Sequence, residues 1–381
     1  MIHVAIDGKR FFMNTSGLGR YSRTLIKGLM DDRYGEQIRI TLFRPKGKVR
    51  FDAPDHAGLH IETAAYRLPG DLGNGLWRFR KLPKIVDRGQ FSLFHGPSHV
   101  LPVSAKTPMV VTMFDLIFLR YPQYFKKWDR AYYQFAFRKS AERADHIISF
   151  SMATKADLVN YFNIDDNKIT VVYPGFDEDF RPLPEKELIT LKNHHTLPEE
   201  YILYVGTIEP RKNILKTATA FDRLLSAGEI PDNYQFLIVG SKGWFYDDII
   251  SGIQKLKHSD KIRLAGPVFG RDLAGIYQLA RMTAYPSLFE GFGYPVLESL
   301  RVGTPVLTSN ISSLPEAGGD AAVLVDPAST DEIASGIKKL VTDEALRAQC
   351  IERGYEHAAR FSPENMAAGT MKVYRRISGR A

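Results

Sequence analysis

Short apolar runs alternate along the chain with longer stretches in which apolar residues recur at helical spacing. After the first run, residues 2–6, a glycine-containing turn leads into a stretch where Tyr21, Leu25, Ile26 and Leu29 fall on one helical face. Further strand-like runs lie at 38–43, 91–94, 109–113 and 144–150. This alternation predicts a doubly wound α/β sheet in the first half of the chain.

The same alternation restarts after a proline-bracketed stretch at 174–184, which we interpret as a linker. Strand-like runs of the second half lie at 201–205, 236–239, 262–264, 306–308 and 322–325. The pattern therefore predicts an α/β protein with two parallel-sheet domains, residues 1–174 and residues 175–381. The tail from about residue 362 is expected to pack back on the first domain.

The stretch 284–305 has the pattern of a strand, a glycine turn and a short helix. Pro295 suits the first helical position and Gly303 signals the helix end. The free backbone N–H groups of the first helical turn can be approached closely across Gly291 and Gly293. Because such a helix end attracts anions, this stretch predicts a phosphate-binding site.

Two carboxylates accompany this predicted site. Glu298 lies in the first helical turn, where it would repel a phosphate, so we expect it to accept hydrogen bonds from neutral hydroxyls such as those of ribose. Glu290 follows the strand, at the edge where open α/β sheets bind ligands. The alternative is an ordinary strand–helix unit, in which Glu298 only complements the helix dipole and Glu290 is solvated.

A second turn, residues 206–213, places Arg211 and Lys212 just beyond a strand end, on the edge expected to carry Glu290. Two cations there would neutralise phosphate charge that a helix end offsets only in part. The alternative is a helix that is amphipathic in charge only and binds no ligand there.

Composition adds limits to this picture. The 381 residues are 44% hydrophobic and 25% charged, which is ordinary for a globular protein of about two domains. Cys350 is the only cysteine, so a disulfide within the chain is excluded and a cytoplasmic setting is expected. No apolar run approaches the roughly 18 residues of a membrane span. The net charge of +8 favours an anionic partner such as a nucleotide, a phospholipid surface or nucleic acid.

Candidate ligand contacts also occur in the first half. Gly17 and Gly19 open the first helix and could let a ligand approach the backbone, or could simply form a loop. His95 and His99 follow one strand, and Asp115 ends the next. We predict Asp115 as a catalytic residue and His95 as an acceptor or sugar contact, with helix capping and structural hydrogen bonding as the respective alternatives.

The segment 121–139 mixes aromatic and basic residues at helical spacing. Such a helix can lie in a bilayer interface with its bases toward anionic headgroups, and four more bases precede it at Arg78, Arg80, Lys81 and Lys84. The alternative is an aromatic stripe facing the core with a solvated basic back. The sequence has no recognisable nucleic-acid-binding motif, so no nucleic acid partner is expected.

The run Asp177-Glu178-Asp179 has a spacing that many nucleotide-sugar enzymes use to hold a divalent cation. Its place in the proline-bracketed linker favours a solvated turn. We therefore predict no metal site.

Taken together, Gly17-Leu-Gly19, the turn at 206–213 and the element from Glu290 to Glu298 resemble the retaining glycosyltransferases of family 4. The resemblance implies two facing Rossmann-like domains, the B-type glycosyltransferase fold, and no metal requirement. Within the family, the wording of the motifs is most similar to bacterial mannosyltransferases that use GDP-mannose to build O-antigen or related polysaccharides on a lipid pyrophosphate carrier. The single cysteine and the segment 121–139 add the expectation of a cytoplasmic enzyme with peripheral contact to an anionic membrane.

The resemblance also implies roles for individual residues. Lys212, with Arg211 beside it, matches the lysine that binds the donor diphosphate, while Glu290 matches a contact to the donor sugar or its phosphate. Glu298 matches the ribose-binding glutamate. The remaining positions expected to bind the nucleotide sugar are Gly17, Gly19, Gly206, Thr207, Val268, Phe269, Phe292, Gly293, Tyr294, Val296 and Leu297.

The chain departs from the family pattern at two positions. Many relatives have an arginine where this chain has Thr207, so Arg211 is expected to supply that charge. Many also have a histidine where this chain has Phe114, before Asp115, which leaves the residue beneath the donor sugar open.

Other classes of protein remain as alternatives. A UDP-sugar-dependent transferase of the same family or a sugar-nucleotide epimerase would share the fold. A NAD-linked dehydrogenase would need a complete dinucleotide fingerprint, which the chain lacks. A basic membrane- or RNA-binding protein would bind in a salt-sensitive way without nucleotide affinity.

Overall fold

The computed structural model describes residues 1–46, 49–63, 77–176 and 179–379, without the side chain of Phe79. The chain forms two units. The first consists of Met1–Asp177 with Phe361–Ala381, and the second of Glu178–Arg360. The division lies a few residues beyond the position predicted from the proline-bracketed linker, and the C-terminal segment belongs to the first unit, as its predicted return implies.

The first unit contains a parallel sheet in the order β3-β2-β1-β4-β5-β6-β7. Its strands are β1 Ile2–Asp7, β2 Ile38–Arg44, β3 Leu59–Thr63, β4 Leu93–Gly96, β5 Met109–Met113, β6 His146–Ser149 and β7 Ile169–Val171. The predicted doubly wound sheet is confirmed. Strand β3 was not predicted, because most of its side chains are exposed and it lacks the apolar run of a buried strand.

The second unit contains a parallel sheet in the order β10-β9-β8-β11-β12-β13. Its strands are β8 Glu200–Val205, β9 Tyr234–Val239, β10 Ile262–Gly266, β11 Met282–Tyr285, β12 Val306–Ser309 and β13 Ala322–Val325. Strands β8, β9, β11 and β12 are buried almost throughout, which explains why apolar runs alone located them.

Helices connect the strands of both sheets. In the first unit they are α1 Lys9–Met13, α2 Gly17–Leu29, α3 Leu82–Arg88, α4 Ile117–Arg120, α5 Lys127–Arg143 and α6 Met152–Phe162. In the second they are α7 Glu185–His194, α8 Ile214–Ser226, α9 Tyr246–Gln254, α10 Gly270–Leu279, α11 Tyr294–Arg301, α12 Leu314–Gly318, α13 Thr330–Thr342 and α14 Glu344–Ala359. The C-terminal helix, α15 Pro363–Ile377, belongs to the first unit. Within the described ranges, none of these helices has the length and apolarity to cross a membrane.

Helix α2 buries the apolar face that its spacing predicts. Tyr21, Leu25, Ile26 and Leu29 are all essentially inaccessible to solvent. The helix also receives α15, because Gly28 has no side chain where the two helices meet. A Cβ atom on Gly28 would lie 2.9 Å from the carbonyl oxygen of Pro363, so this close approach requires glycine.

A buried hydrogen-bond network joins α15 to the first sheet. His95 bonds through Nδ1 to the Tyr374 hydroxyl at 2.6 Å and through Nε2 to Thr112 Oγ1 at 2.8 Å. The Tyr21 hydroxyl lies 3.0 Å from the same Thr112 oxygen. Burial lowers the pKa of His95 to about 3, so the imidazole is neutral.

The buried neutral state of His95 predicts a pH dependence of stability. In the unfolded chain a histidine titrates near pH 6.5. Between pH 6.5 and about 3 the unfolded chain therefore binds the extra proton, and stability falls as the pH falls. From pH 7 to pH 5, His95 alone should cost about 2 kcal/mol of unfolding free energy.

Urea unfolding at the two pH values measures this loss. His95→Gln should reduce the loss by about that amount, whereas Tyr374→Phe, which keeps the imidazole buried, should retain it. An identical pH dependence in wild type and His95→Gln would contradict the assignment.

Candidate active site

The candidate site lies where the second sheet changes its winding direction. From β8 the chain moves outward through β9 and β10, then returns to form β11 on the other side of β8. The loops after β8 and β11 therefore leave neighbouring strands in opposite directions. In open parallel sheets this arrangement opens a crevice at the carboxyl ends of the strands, where ligands bind.

The turn after β8 is fixed by backbone constraints. Gly206 has φ +148°, a value that side-chain-bearing residues rarely adopt. A short 3₁₀ turn, Pro210–Lys212, follows, and the Asn213 side chain donates to the carbonyl oxygens of Pro286 at 3.0 Å and Pro327 at 2.8 Å. Asn213 thereby ties the turn to the loop that follows β11.

The two loops meet in a buried ion cluster. Lys212 Nζ lies 2.6 Å from Glu290 Oε1, and Arg211 Nη1 lies 2.8 Å from Glu290 Oε2. The Lys212 and Glu290 side chains are only 10% and 11% exposed. The structure thus brings together the three residues that the sequence predicted to share this edge.

Two hydroxyl groups complete the surroundings of Glu290. Tyr285, the last residue of β11, donates to Glu290 Oε1 at 2.9 Å, and Ser287 donates to the same oxygen at 2.7 Å. Burial by itself raises the pKa of Glu290, but the charges of Arg211 and Lys212 and these hydrogen bonds outweigh it and lower the pKa to about 2. Glu290 is therefore a permanent anion at neutral pH.

The pKa of Lys212 is also lowered, which for a lysine disfavours the charged form. Burial lowers its pKa, the nearby charge of Arg211 lowers it further, and Glu290 compensates only in part because it is shared with Arg211. The ammonium group also donates to the Tyr285 hydroxyl. A cation that has lost its water in this way interacts strongly with any anion that reaches it.

The loop from Glu290 to Phe292 is held by two serines that follow β12. Ser312 donates to the Glu290 carbonyl oxygen at 2.7 Å, while Ser313 donates to the carbonyl oxygens of Glu290 at 2.8 Å and of Phe292 at 2.9 Å. These serines were not among the residues predicted from the sequence. Their position just after a strand end was the available signal.

The predicted helix start is close to the observed one. Helix α11 begins at Tyr294 with Pro295 as its second residue, after Gly293 at φ +121°. A Cβ atom on Gly293 would lie 2.8 Å from Leu314 Cδ2, and at this positive φ a side chain is strained in any case, so the position favours glycine. Phe292, Val296 and Leu297 are buried. They can therefore offer a ligand only their backbone groups.

The candidate ribose and base contacts lie in the same unit. Glu298 is 2% exposed, and its Oε2 accepts a hydrogen bond from Tyr277 at 2.9 Å. This hydroxyl belongs to the protein, so the predicted bonds to ribose hydroxyls stay a prediction. Val268 is half-buried, whereas Phe269 is 69% exposed. Thr207 is half-buried at the end of β8.

The candidates of the first unit have structural partners. Gly17 begins α2, and a Cβ atom on Gly19 would lie 1.9 Å from the Asn14 carbonyl oxygen, so helix packing explains that glycine. Asp115 accepts from the Ile117 backbone N–H at 3.1 Å, as in the capping alternative. His95 is fully buried with both ring nitrogens bonded, so contact with a ligand would require this network to open.

The run Asp177-Glu178-Asp179, whose spacing is found in divalent-cation sites, lies largely outside the described residues, since Asp177 and Glu178 are not described. Elsewhere in the described chain, no group of three or more His, Cys, Asp or Glu side chains is arranged to hold a metal ion.

Comparison with known proteins defines the class. Residues 15–180 match the family described as Glycosyltransferase Family 4, and residues 186–357 match Glycosyl transferases group 1. The chain is thus a glycosyltransferase, a class of enzyme that binds a nucleotide-sugar donor and a glycosyl acceptor. The chain belongs to glycosyltransferase family 4.

The chain is also similar to individual proteins of this class. It is 29% identical over 376 residues to O-antigen chain mannosyltransferase B of Escherichia coli. The aligned region covers 94% of this chain and 96% of that protein. It is 27% identical to O-antigen chain mannosyltransferase RfbU of Salmonella typhimurium, covering 74% of this chain and 73% of that protein.

Solved structures show the same fold. Sucrose-phosphate synthase of Thermosynechococcus elongatus matches with a TM-score of 0.77 at 20% identity, over 100% of both chains. WaaG, a glycosyltransferase involved in lipopolysaccharide biosynthesis, matches with a TM-score of 0.71 at 15% identity, over 99% of this chain and 100% of that one. The predicted B-type glycosyltransferase fold is confirmed.

One further carboxylate belongs to the ion cluster. Glu209 forms an ion pair with Arg211, so Arg211 lies between Glu209 and Glu290. Two cations and two carboxylates leave the cluster without net charge, whereas a diphosphate brings at least two negative charges. Glu209, at 23% exposure against 11% for Glu290, is the carboxylate more easily displaced.

Replacement of Glu209 should therefore tighten nucleoside diphosphate binding. Glu209→Gln removes a carboxylate that competes for Arg211, and a partly exposed ion pair of this kind contributes about 1 kcal/mol, or roughly fivefold in affinity. Calorimetry with GDP or UDP measures the change.

Glu187→Gln is the matched control, because Glu187 pairs with Arg271 at 2.8 Å elsewhere in the same unit. It should leave the affinity unchanged. Weaker nucleotide binding by Glu209→Gln would mean that this carboxylate contacts the ligand itself.

Proposed function

We propose that this protein is a retaining α-mannosyltransferase that transfers mannose from GDP-mannose to a lipid-linked oligosaccharide in O-antigen or related polysaccharide synthesis. The observation that carries the proposal is the pair of cations, Lys212 and Arg211, held on Glu290 at the switch point of the second sheet. The mannosyl donor and the O-antigen acceptor are supported by two O-antigen mannosyltransferases to which this chain is similar over most of their length.

The proposed chemistry is electrostatic stabilisation of the leaving group. Negative charge grows on the nucleoside diphosphate as the bond to the sugar breaks. Lys212 and Arg211 would stabilise this charge. The N-terminus of α11, which follows the loop that carries Glu290, would add the positive end of its helix dipole. Because these groups are already fixed by Glu290, Tyr285 and Asn213, they need little reorganisation during the reaction.

Glu290 has a different role in this mechanism. With its pKa held near 2 it does not donate a proton at neutral pH, so it cannot serve as a general acid. It can accept hydrogen bonds from hydroxyl groups of the donor sugar. The leaving phosphate would then deprotonate the acceptor hydroxyl on the same face, which gives retention without an enzyme nucleophile.

The nucleoside would lie along the same sheet edge as the ion cluster. Glu298 would accept from the ribose hydroxyls in addition to Tyr277, since each carboxylate oxygen accepts more than one hydrogen bond. The exposed ring of Phe269 is suited to stacking on the base. Two protein cations at the diphosphate support a reaction that needs no metal ion.

Calorimetric titration of GDP, UDP and NAD in the presence of EDTA tests the donor. The proposal expects binding of GDP alone, without a metal ion. Binding of UDP instead would retain the glycosyltransferase and reject the guanosine donor. Binding of NAD, or of none of the three, would contradict the proposed site.

Transfer assays with GDP-mannose then test the reaction. The proposal expects an α-linked product that forms only when an acceptor is present. Turnover of the donor sugar without an acceptor would identify an epimerase.

Loss of the buried lysine should slow the chemical step. Lys212→Ala removes a cation from the leaving group and should cost roughly 2 to 4 kcal/mol of transition-state stabilisation, a decrease in kcat of about thirtyfold to a thousandfold. Lys216→Ala is the control, because Lys216 lies on the next helix and bonds to the Ala328 carbonyl oxygen rather than to Glu290. Unchanged turnover in Lys212→Ala would remove this residue from the mechanism.

A further inference from the structure

Helix α5 carries aromatic side chains on two opposite faces. On one face Tyr133 and Phe137 pack against the core of the first unit. On the other, Trp128, Tyr132 and Phe135 are 88%, 50% and 65% exposed. The sequence offered two interpretations of the segment 121–139, an aromatic face in a bilayer interface or an aromatic stripe facing the core. The helix has both a core-facing stripe and an exposed one, so each interpretation describes one of its faces.

The exposed aromatic residues form one continuous surface. Trp128, Tyr132 and Phe135 stand at positions i, i+4 and i+7 of a regular helix, so they lie on one side of it within about two turns. The core-facing residues Tyr133 and Phe137 hold the helix in place from behind. We call the three exposed residues the aromatic ridge. Large apolar groups clustered in water are a typical mark of an interaction surface.

Positive charge surrounds the aromatic ridge. Helix α5 contains five basic and two acidic side chains, and Lys126 directly precedes it. Lys139 lies one turn beyond Phe135, on the same side as the ridge, and Lys127 lies in the first turn, about 100° around the helix from Trp128. Arg138 and Lys139 share one acidic partner, Glu142, so the surface keeps an excess of positive charge.

We propose that the aromatic ridge inserts into the interface of an anionic lipid bilayer, with α5 lying along the membrane surface. Aromatic rings partition to the depth of the headgroups, and lysines beside them pair with anionic lipids. The choice of a lipid surface over a protein partner rests on the lipid-linked acceptor of the proposed function. An enzyme docked in this way meets its acceptor in the plane of the membrane.

Vesicle binding tests the proposal with the whole protein and no substrate. We expect sedimentation with vesicles of phosphatidylcholine and phosphatidylglycerol, and at least tenfold weaker binding to phosphatidylcholine alone. Trp128→Ser combined with Phe135→Ser should lower the affinity for the anionic vesicles by at least tenfold. The control is Trp244→Ser, because Trp244 is a comparably exposed tryptophan of the second unit, at 51%. This change should leave vesicle binding intact.

A second measurement does not depend on the folding of a variant. In the Trp244→Phe protein, Trp128 is the exposed one of the two remaining tryptophans, since Trp77 is buried. Brominated lipids should quench its fluorescence when anionic vesicles are added. Absence of quenching, or equal vesicle binding by the ridge variant, would overturn the proposal. So would self-association in solution that the ridge variant abolishes, because a second copy would then cover the ridge.

The outcomes separate docking from catalysis. Loss of vesicle binding with normal GDP binding and normal transfer to a lipid-free oligosaccharide supports a docking surface. Vesicle binding without any nucleotide binding would retain the docking surface and contradict the proposed function. Nucleotide binding without vesicle binding in the wild-type protein would contradict the docking surface alone.

Discussion

A buried carboxylate shared by two cations determines the arrangement of the second unit's ligand-binding edge. Burial of Glu290 as an anion depends on Lys212 and Arg211, and burial of Lys212 as a cation depends on Glu290. The ion cluster therefore requires that the loops after two neighbouring strands keep a fixed position relative to each other. The hydrogen bonds of Asn213 on one loop and of Ser313 to the other fix that position, so these bonds are as important to the cluster as its charges.

The same cluster explains how two largely buried cations can be stable and, in the proposed function, still attract a strongly charged ligand. Glu209 and Glu290 compensate the charges of Arg211 and Lys212, so neither cation is left without a carboxylate partner. Glu290 accepts hydrogen bonds from Tyr285 and Ser287 in addition to its ion pairs, while Glu209 is more exposed. In the proposed mechanism, this difference makes Glu290 a fixed part of the site and Glu209 a temporary counter-ion.

The sequence predicts most of the fold and the centre of the site because both depend on local signals. Buried strands leave apolar runs, and the carboxyl ends of parallel strands meet at one edge, which placed Lys212 near Glu290. Such local signals do not reveal contacts between residues that are far apart in the sequence. Nothing near His95 indicates that Tyr374, 279 residues later, covers it, so a buried histidine could not be told from a ligand contact. Likewise, helical spacing located the aromatic residues of α5 without showing that the helix exposes one of its two aromatic faces.

The return of the C-terminal helix gives the two units different histories during synthesis. The second unit is one continuous segment, and all of it is translated before α15. The first unit is interrupted, because α15, which bonds to His95 and packs on α2, is translated after the whole of the second unit. Until α15 is in place, the Tyr374 hydroxyl cannot bond to His95 and the helix contact at Gly28 cannot form. The first unit is thus the first to begin translation and the last to acquire all of its segments.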